Sequence, residues 1–520
     1  MPGLESEVEL ERSPTALLRA MPGKLKRCFS FEWTILGIFT ALLAFTTAHH
    51  EMWRDELQAW LIARDSHSLS QLFHLLHYEG HPALWYLLLW IPAHLSPNPA
   101  GMQVVNSLIA VALAWVVLSA RTLPASVRVL ILFSFFVFYQ YGVTARSYEL
   151  AFLLLFAAAR CLTGGQRQRN LAIFLLALSL NTHAFAAPVA VALAAWAFYF
   201  AKLKSRRDAG RLLRDREFLT ALIALGIAGM LALLTVWPAK DIIGPGSGVP
   251  SFSRNLQDTW GMLWLTFVPR LPSPAQLMLF PLHSSITRSC LESMAVLVGA
   301  AAILGSTAAR IFFLSCALME TLLMAVTVEL PSVYHLGFLF AAFLIALLLD
   351  YPLDADANPR PRWLSRRFSS VLVALLLLAQ VVCTADASWL DWRRPFSDAK
   401  EASEWLRANH LESNPLVLQP SEFTTGIVAY LERPSAYYPS CRCYGSYELR
   451  NTARQLNRMA TPEELRMVRG NSPLPVILIS NAALNPGYLR DRGLVEIHAT
   501  ARNSEESDEI FYIYRQAYPR

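Results

Sequence analysis

"FSFEWTILGIFTALLAFTTAHHEMWRDELQAW", residues 29–60, decides how this chain is read. Residues 29–48 are almost wholly apolar, and a run of about 20 such residues is what crossing a bilayer core requires. Directly after it, residues 49–60 set two histidines and an Arg-Asp-Glu triplet beside two tryptophans. Charged side chains at membrane depth cost roughly 2.5–3.5 kcal/mol at a helix centre and less near the interface, and they tend to be retained for function. The stretch therefore predicts a crossing that opens either into an ordinary solvated loop or into a place where chemistry is done.

Composition supports the first half of that reading. Of 520 residues, 54% are hydrophobic and only 16% are charged, a balance that points to a polytopic membrane protein rather than a soluble domain. The net charge of +6 lies mostly in loops between apolar runs and does not suggest nucleic-acid binding. The first 23 residues are polar and lack the order of a cleavable signal peptide. The seven cysteines are scattered, and Cys441-Arg442-Cys443 is spaced too closely to read as an ordinary disulfide.

Working outward, apolar runs predict crossings near 29–48, 102–120, 127–143, 147–163, 170–184, 185–203, 218–237, 290–308, 311–329, 336–350 and 368–386. "PALWYLLLWIPAHL" at 82–95 is too short to cross and reads as interfacial or re-entrant. Basic residues then fall in alternate loops: Lys24 to Arg27, Arg121 and Arg128, Arg160 to Arg169, Lys202 to Arg216, Arg310, and Arg360 to Arg367. Placing all of them in the cytoplasm requires that 82–95 not cross. The expected architecture is an α-helical polytopic membrane protein with about eleven transmembrane helices and a cytoplasmic N-terminus. The domains are a tail 1–28, a membrane domain 29–386 with outer loops 49–101 and 238–289, and a small extracytoplasmic α/β domain 387–520. Strands are expected near 415–419, 475–480, 494–498 and 510–514, with a helix near 398–409.

Residues 49–81 hold six of the twelve histidines and five carboxylates. Read as a helix, 53–64 puts Trp53, Leu57, Trp60 and Leu61 on one face, with Asp55 nearly opposite and Glu56 at the edge. A second amphipathic turn follows through Leu69, Leu72, Phe73 and Leu76, so both are expected to lie in the headgroup plane. "TARSYEL" places Arg146, "THAF" places His183, and "VYHLG" places Tyr334 and His335 on the same outer side.

In order, "WRDELQAWLIARDS", "YEGHPALWYLLL", "TARSYEL", "THAF" and "YHLG" resemble the GT-C glycosyltransferases, particularly the bacterial branch of protein O-mannosyltransferases and lipid A aminoarabinose transferase. The resemblance covers roughly residues 29–386. It implies a bacterial inner-membrane enzyme that takes sugar from a polyprenyl-phosphate donor, with inversion, outside the cytoplasm. The family's first-loop acid corresponds to Asp55, its His-Pro element to His81-Pro82, and its span-edge arginine to Arg146.

The chemistry asks for these types. An attacking hydroxyl must give up a proton, which a positioned carboxylate accepts, and a departing lipid phosphate suits a guanidinium. Asp55 is expected to be the general base, with Glu56 beside it as the poorer catalytic candidate. Arg146 is expected on the donor phosphate, with Glu79, His81, His183, Tyr334 and His335 on phosphate or sugar. Trp53, Trp85 and Tyr86 are expected along the lipid or sugar path. Partners would be the lipid-linked donor, membrane lipids, and an envelope glycan, lipid or protein acceptor.

Other readings compete. Arg146 could pair with Glu149 one turn on. His74, His77 and His81 have metal-ligand spacing, although the Gly80-His81-Pro82 turn argues against a shared face, and no cofactor is expected. "DAD" at 354–356 imitates a nucleotide-sugar metal motif but sits in a cytoplasmic linker, and no Gly-rich phosphate loop appears. A polyprenyl-glycan transporter or a non-catalytic scaffold are the alternative functions; few mid-span charges and no internal repeat disfavour the first.

Overall fold

The computed structural model describes residues 23–162, 166–198, 216–242, 252–267, 286–327, 332–353, 366–454, 458–501, 504 and 509–517. The tail 1–22, most of the basic segment Lys202 to Arg216, the Asp354-Ala355-Asp356 motif and much of loop 238–289 lie outside them. In chain order the helices begin with α1 (Gly23–His49), α2 (Arg54–Asp65), α3 (Leu69–Leu76), α4 (Leu84–Leu95) and α5 (Ala100–Leu118). Next comes α6 (Ala125–Leu132), which leads into a π-helical stretch, Phe135–Val143. They continue with α7 (Ser147–Leu162), α8 (Gln166–Ser179), α9 (Ala186–Phe198), α10 (Arg216–Val236) and α11 (Phe252–Met262). The last membrane-domain helices are α12 (Ile286–Ile303), α13 (Thr307–Thr327), α14 (Gly337–Leu353) and α15 (Arg366–Arg393).

All eleven expected crossings are helical. Among the described residues seven are long and apolar enough to span a bilayer. The other four are α7, α8, α9 and α12, of 16, 14, 13 and 18 residues. At about 1.5 Å per residue the described lengths of the first three, each bordering residues outside the described set, come to less than a ~30 Å core. Segment 82–95 forms α4, twelve residues with Pro92 inside it, too short to cross. Outward faces are greasy: Leu222, Ile223, Ile227, Met230 and Leu234 of α10 are all more than half exposed, the surface a lipid solvent requires. At one end of the bundle Glu32 binds Arg121 and Arg128 at 2.8 and 2.9 Å. Arg160 donates to the Ser119 carbonyl at that same end.

After α15 the chain forms α16 (Ala399–Ala408), β1 (Leu416–Gln419), α17 (Ser421–Tyr430), β2 (Ala436–Tyr438) and β3 (Cys443–Gly445). Next come α18 (Pro462–Arg469), β4 (Ile477–Ser480), α19 (Pro486–Arg492), β5 (Leu494–Ala499) and β6 (Tyr512–Gln516). The six strands order as β3-β2-β1-β4-β6-β5. The centre β2-β1-β4 is parallel, and both edges are antiparallel. Alternate residues of β1 and β4 serve two cores. Leu416, Leu418, Ile477 and Ile479 face α16 and α17, whereas Val417 and Leu478 face α18.

One expectation needs correction here. Cys441 and Cys443 are disulfide-bonded: Arg442, at φ 52°, turns the chain so that their Cα atoms lie 5.1 Å apart. The structure also shows α2 packed by protein on more than one side. It is enclosed by protein because α17 covers the face turned away from α4. Where α17 crosses α2, a Cβ on Gly426 would sit 3.2 Å from Leu57 Cδ1 and 3.1 Å from Ala399 Cβ. Further ties are Tyr430 to the Met52 carbonyl at 3.2 Å and the Arg54 amide to Glu509 at 3.0 Å. The strand-bearing domain is thus seated on the first loop. Gly426→Val should overpack that crossing and cost about 1–3 kcal/mol, read as a lowered unfolding midpoint of the detergent-solubilised protein. An unchanged midpoint would contradict the close approach.

Candidate active site

α2 begins where α1 ends, and its first turn turns two neighbouring carboxylates in different directions, as a helix's roughly 100° step demands. Glu56 points inward and is fully buried. Its Oε2 lies 3.0 Å from His50 Nε2 and accepts from the Trp53 amide at 3.3 Å, while Oε1 accepts from the Ala145 amide at 2.6 Å. The other ring nitrogen of His50 lies 2.8 Å from Asp391 Oδ2, which also accepts from Tyr139 at 3.1 Å. Burial opposes charge on His50, but the carboxylates of Asp391 and Glu56 hold its pKa well above the usual value. Glu56 therefore does not reach the cavity, which corrects the catalytic role expected of it. It holds the backbone immediately before Arg146.

Asp55 points the other way, into a cavity of about 280 Å³. Its Oδ2 lies 3.3 Å from Arg146 Nη1, and its Oδ1 lies 3.9 Å from Arg54 Nε. The Arg146 guanidinium sits 5.2 Å from the ring centroids of both Tyr148 and Tyr334, an aromatic clamp that favours a cation. Glu79, His81, Trp85, Tyr86, Tyr334 and His335 also line this cavity. Gly80, at φ 68°, makes the turn that lets Glu79 and His81 both face it. His81 Nδ1 is engaged by the Glu79 carbonyl at 2.8 Å, so the ring presents its other nitrogen.

Two expected residues stand off. His183 packs behind the wall, its ring 5.3 Å from His81 and 4.5 Å from Tyr148. Trp53 packs on Phe396 at 5.8 Å instead of lining a path. Arg146 does not pair with Glu149, whose carboxylate is buried and turned away from it, without a hydrogen-bond partner among the described residues. His77 binds the Trp237 carbonyl at 2.7 Å, and His74 packs on Tyr78. Among the described residues no three His, Cys, Asp or Glu side chains converge as a metal site.

The cavity also contains residues that sequence reasoning missed. Gln58 is one turn beyond Asp55 on the same face, a spacing that was legible. Four come from the C-terminal domain: Glu422 and Thr425 of α17, and Glu448 and Arg450 beyond β3. They lie more than 360 positions from Asp55, so no local pattern could have found them.

Beside the polar cavity lies an apolar one of about 630 Å³. It starts at Pro82, adjacent to His81, and runs between α9 and α10 to Phe198 and Phe218. Ala187, Ala190, Gly226 and Gly229 make room for it, and nothing lies within 4 Å of a Cβ built on either glycine.

No protein-family profile and no curated protein matches the chain. Among solved structures it is similar to the mycobacterial arabinofuranosyltransferase AftD, at 13% identity and a TM-score of 0.38. The alignment covers 93% of this chain and 41% of that one, so this chain spans about two fifths of its length. So loose a likeness carries no inference about the site.

Burial raises Glu79 from 4.5 to about 7, against the opposing effects of Gln58, Arg450 and Tyr86. Over that interval the folded protein keeps a proton the unfolded chain has lost, so Glu79 makes stability fall as pH rises. Glu51, partly buried and also raised to about 7, acts in the same direction. Burial lowers His81 and His183, which act in the opposite direction below 6.5. The informative readout is therefore a difference. Glu79→Gln should gain stability relative to wild type as pH climbs to about 7, measured by thermal unfolding across pH. A difference independent of pH would contradict it.

Proposed function

We propose that this protein is an integral-membrane, inverting glycosyltransferase of the GT-C type. It moves a sugar from a polyprenyl-phosphate donor to an acceptor hydroxyl on the extracytoplasmic side of a bacterial inner membrane. The observation that carries this reading is the Asp55–Arg146 pair, 3.3 Å apart, in a polar cavity that adjoins an apolar groove. A donor with a charged head and a greasy tail has the chemistry of both spaces.

The step follows from the pair. The donor phosphate takes over the Arg146 guanidinium, which releases the Asp55 carboxylate. Asp55 then accepts the proton of the acceptor hydroxyl as its oxygen attacks the anomeric carbon from the face opposite the phosphate. The carbon–oxygen bond to phosphate breaks, and polyprenyl phosphate leaves with one more negative charge, which Arg146 stabilises. Glu79, whose carboxyl burial pushes up to about 7, and His81 hydrogen-bond the sugar. Pro82, Leu180 and the α9–α10 groove take the lipid chain. No metal takes part in this scheme.

The disulfide Cys441–Cys443 supports an outside position for the C-terminal domain, since such bonds persist in oxidising compartments. Among the described side chains four cysteines are free, Cys161, Cys290, Cys316 and Cys383, and all lie on membrane-domain helices. With the N-terminus in the cytoplasm, Asp55 and that domain share the outer side.

Asp55→Asn should lower sugar transfer about 10²–10⁴-fold with protein level unchanged, the usual worth of a general base. Arg146→Lys should also lose activity, since an ammonium cannot reproduce bidentate phosphate contact. Radiolabelled sugar transfer from polyprenyl phosphate in isolated membranes measures both. Full activity of Asp55→Asn would remove the reading.

A further inference from the structure

Once Arg146 and the groove are assigned to the donor, one wall of the cavity is left without a task. It is made by the C-terminal domain. Glu422 and Thr425 descend from α17, and Glu448 and Arg450 come from the segment after β3. Gln58 holds this roof down, donating to Glu79 Oε1 at 2.8 Å and to the Glu448 carbonyl at 2.7 Å while accepting from the Glu448 amide at 3.0 Å. On the far side the same segment is pinned by the Thr452 amide to the Asp241 carbonyl at 2.8 Å. The roof is therefore a fixed part of the site.

We propose that the C-terminal domain forms the acceptor half of the cavity and that the acceptor it holds is a neutral, hydroxyl-rich carbohydrate. The inference rests on the glycosyltransferase reading above. A hydroxyl donates and accepts hydrogen bonds at one atom, and vicinal hydroxyls do both at adjacent atoms. The wall offers that mixture. Glu422 and Arg450, 2.8 Å apart and partly exposed, present an acceptor edge beside a donor edge. Each wall carboxylate is matched by an arginine, Glu422 by Arg450 and Glu448 by Arg454, so the wall carries no net charge to draw an anionic acceptor. An acyl chain would find too little apolar wall. A peptide backbone offers no vicinal hydroxyls to the Glu422–Arg450 edge.

The test is ligand binding by the full-length protein in nanodiscs, followed by saturation-transfer NMR. The probes are short neutral oligosaccharide methyl glycosides, a phosphorylated disaccharide and a Ser/Thr-rich peptide. Wild type should bind the neutral oligosaccharides, and Glu422→Ala with Arg450→Ala together should weaken that binding at least tenfold. Thr425→Val and Glu422→Gln should each weaken it several-fold without lowering the unfolding midpoint, and Glu463→Gln, on the exposed face of α18, should bind as wild type does. Absence of saturable oligosaccharide binding, binding unaffected by the roof variants, or roof-dependent preference for the peptide or the phosphorylated sugar would each overturn the proposal. The glycosyltransferase reading fails separately, if Asp55→Asn retains transfer.

Discussion

A chain of buried charge, Glu56–His50–Asp391, organises one end of this protein. It joins the loop after the first crossing to the last crossing, and through Tyr139 and the Ala145 amide it also fixes the third. Buried ion pairs add little net stability compared with apolar packing, but removing one partner leaves an uncompensated charge that costs about 3–5 kcal/mol. Their value here is geometric. With Glu56 holding Ala145, the next residue must present its side chain to the cavity, and that residue is Arg146. Asp55, one position before Glu56, is aimed at the same space by the helix's own step.

The remaining architecture follows from what surrounds that fixed point. Tyr148 and Tyr334 clamp the guanidinium, and α4 and the Gly80 turn bring Glu79 and His81 to the opposite wall. The apolar groove at Pro82 meets the polar cavity at His81, which sets a lipid-like space against an ion-pair space within one residue. The C-terminal domain closes the top. In the proposed reaction this gives three compartments, for lipid, for the reacting centre and for the acceptor. They are built by α9 and α10, by the first turn of α2, and by α17 with the segment after β3.

How much of this could be read from the sequence depends on the range of the interaction. Helix periodicity placed Asp55 opposite the Trp53–Leu57–Trp60–Leu61 stripe, because that relation is set within one turn. Apolar runs located eleven helices of the membrane domain, of which α7, α8 and α9 have described lengths of 16, 14 and 13 residues. Parallel strands β1 and β4 were visible as short aliphatic runs, whereas β2 and β3, three residues each, carry no run to see. Glu56 was misread because its partners His50, Ala145 and Asp391 come from three separate segments. The same limit hid Glu422 and Arg450 and made the C-terminal domain look detached. Spacing also misled at Cys441 and Cys443, where a positive φ at Arg442 brings together two residues that an extended chain holds apart.

The central claim is that Arg146 and Asp55 meet one lipid-borne phosphate at the mouth of the apolar groove. An experimental map of the protein in a lipid nanodisc with polyprenyl phosphate added tests it most directly. The account predicts phosphate density within hydrogen-bonding reach of the Arg146 guanidinium, with the prenyl chain passing Pro82 into the space between α9 and α10. Phosphate bound at the opposite end of the bundle, near Arg121 and Arg128, or a prenyl chain entering anywhere other than that groove, would contradict it.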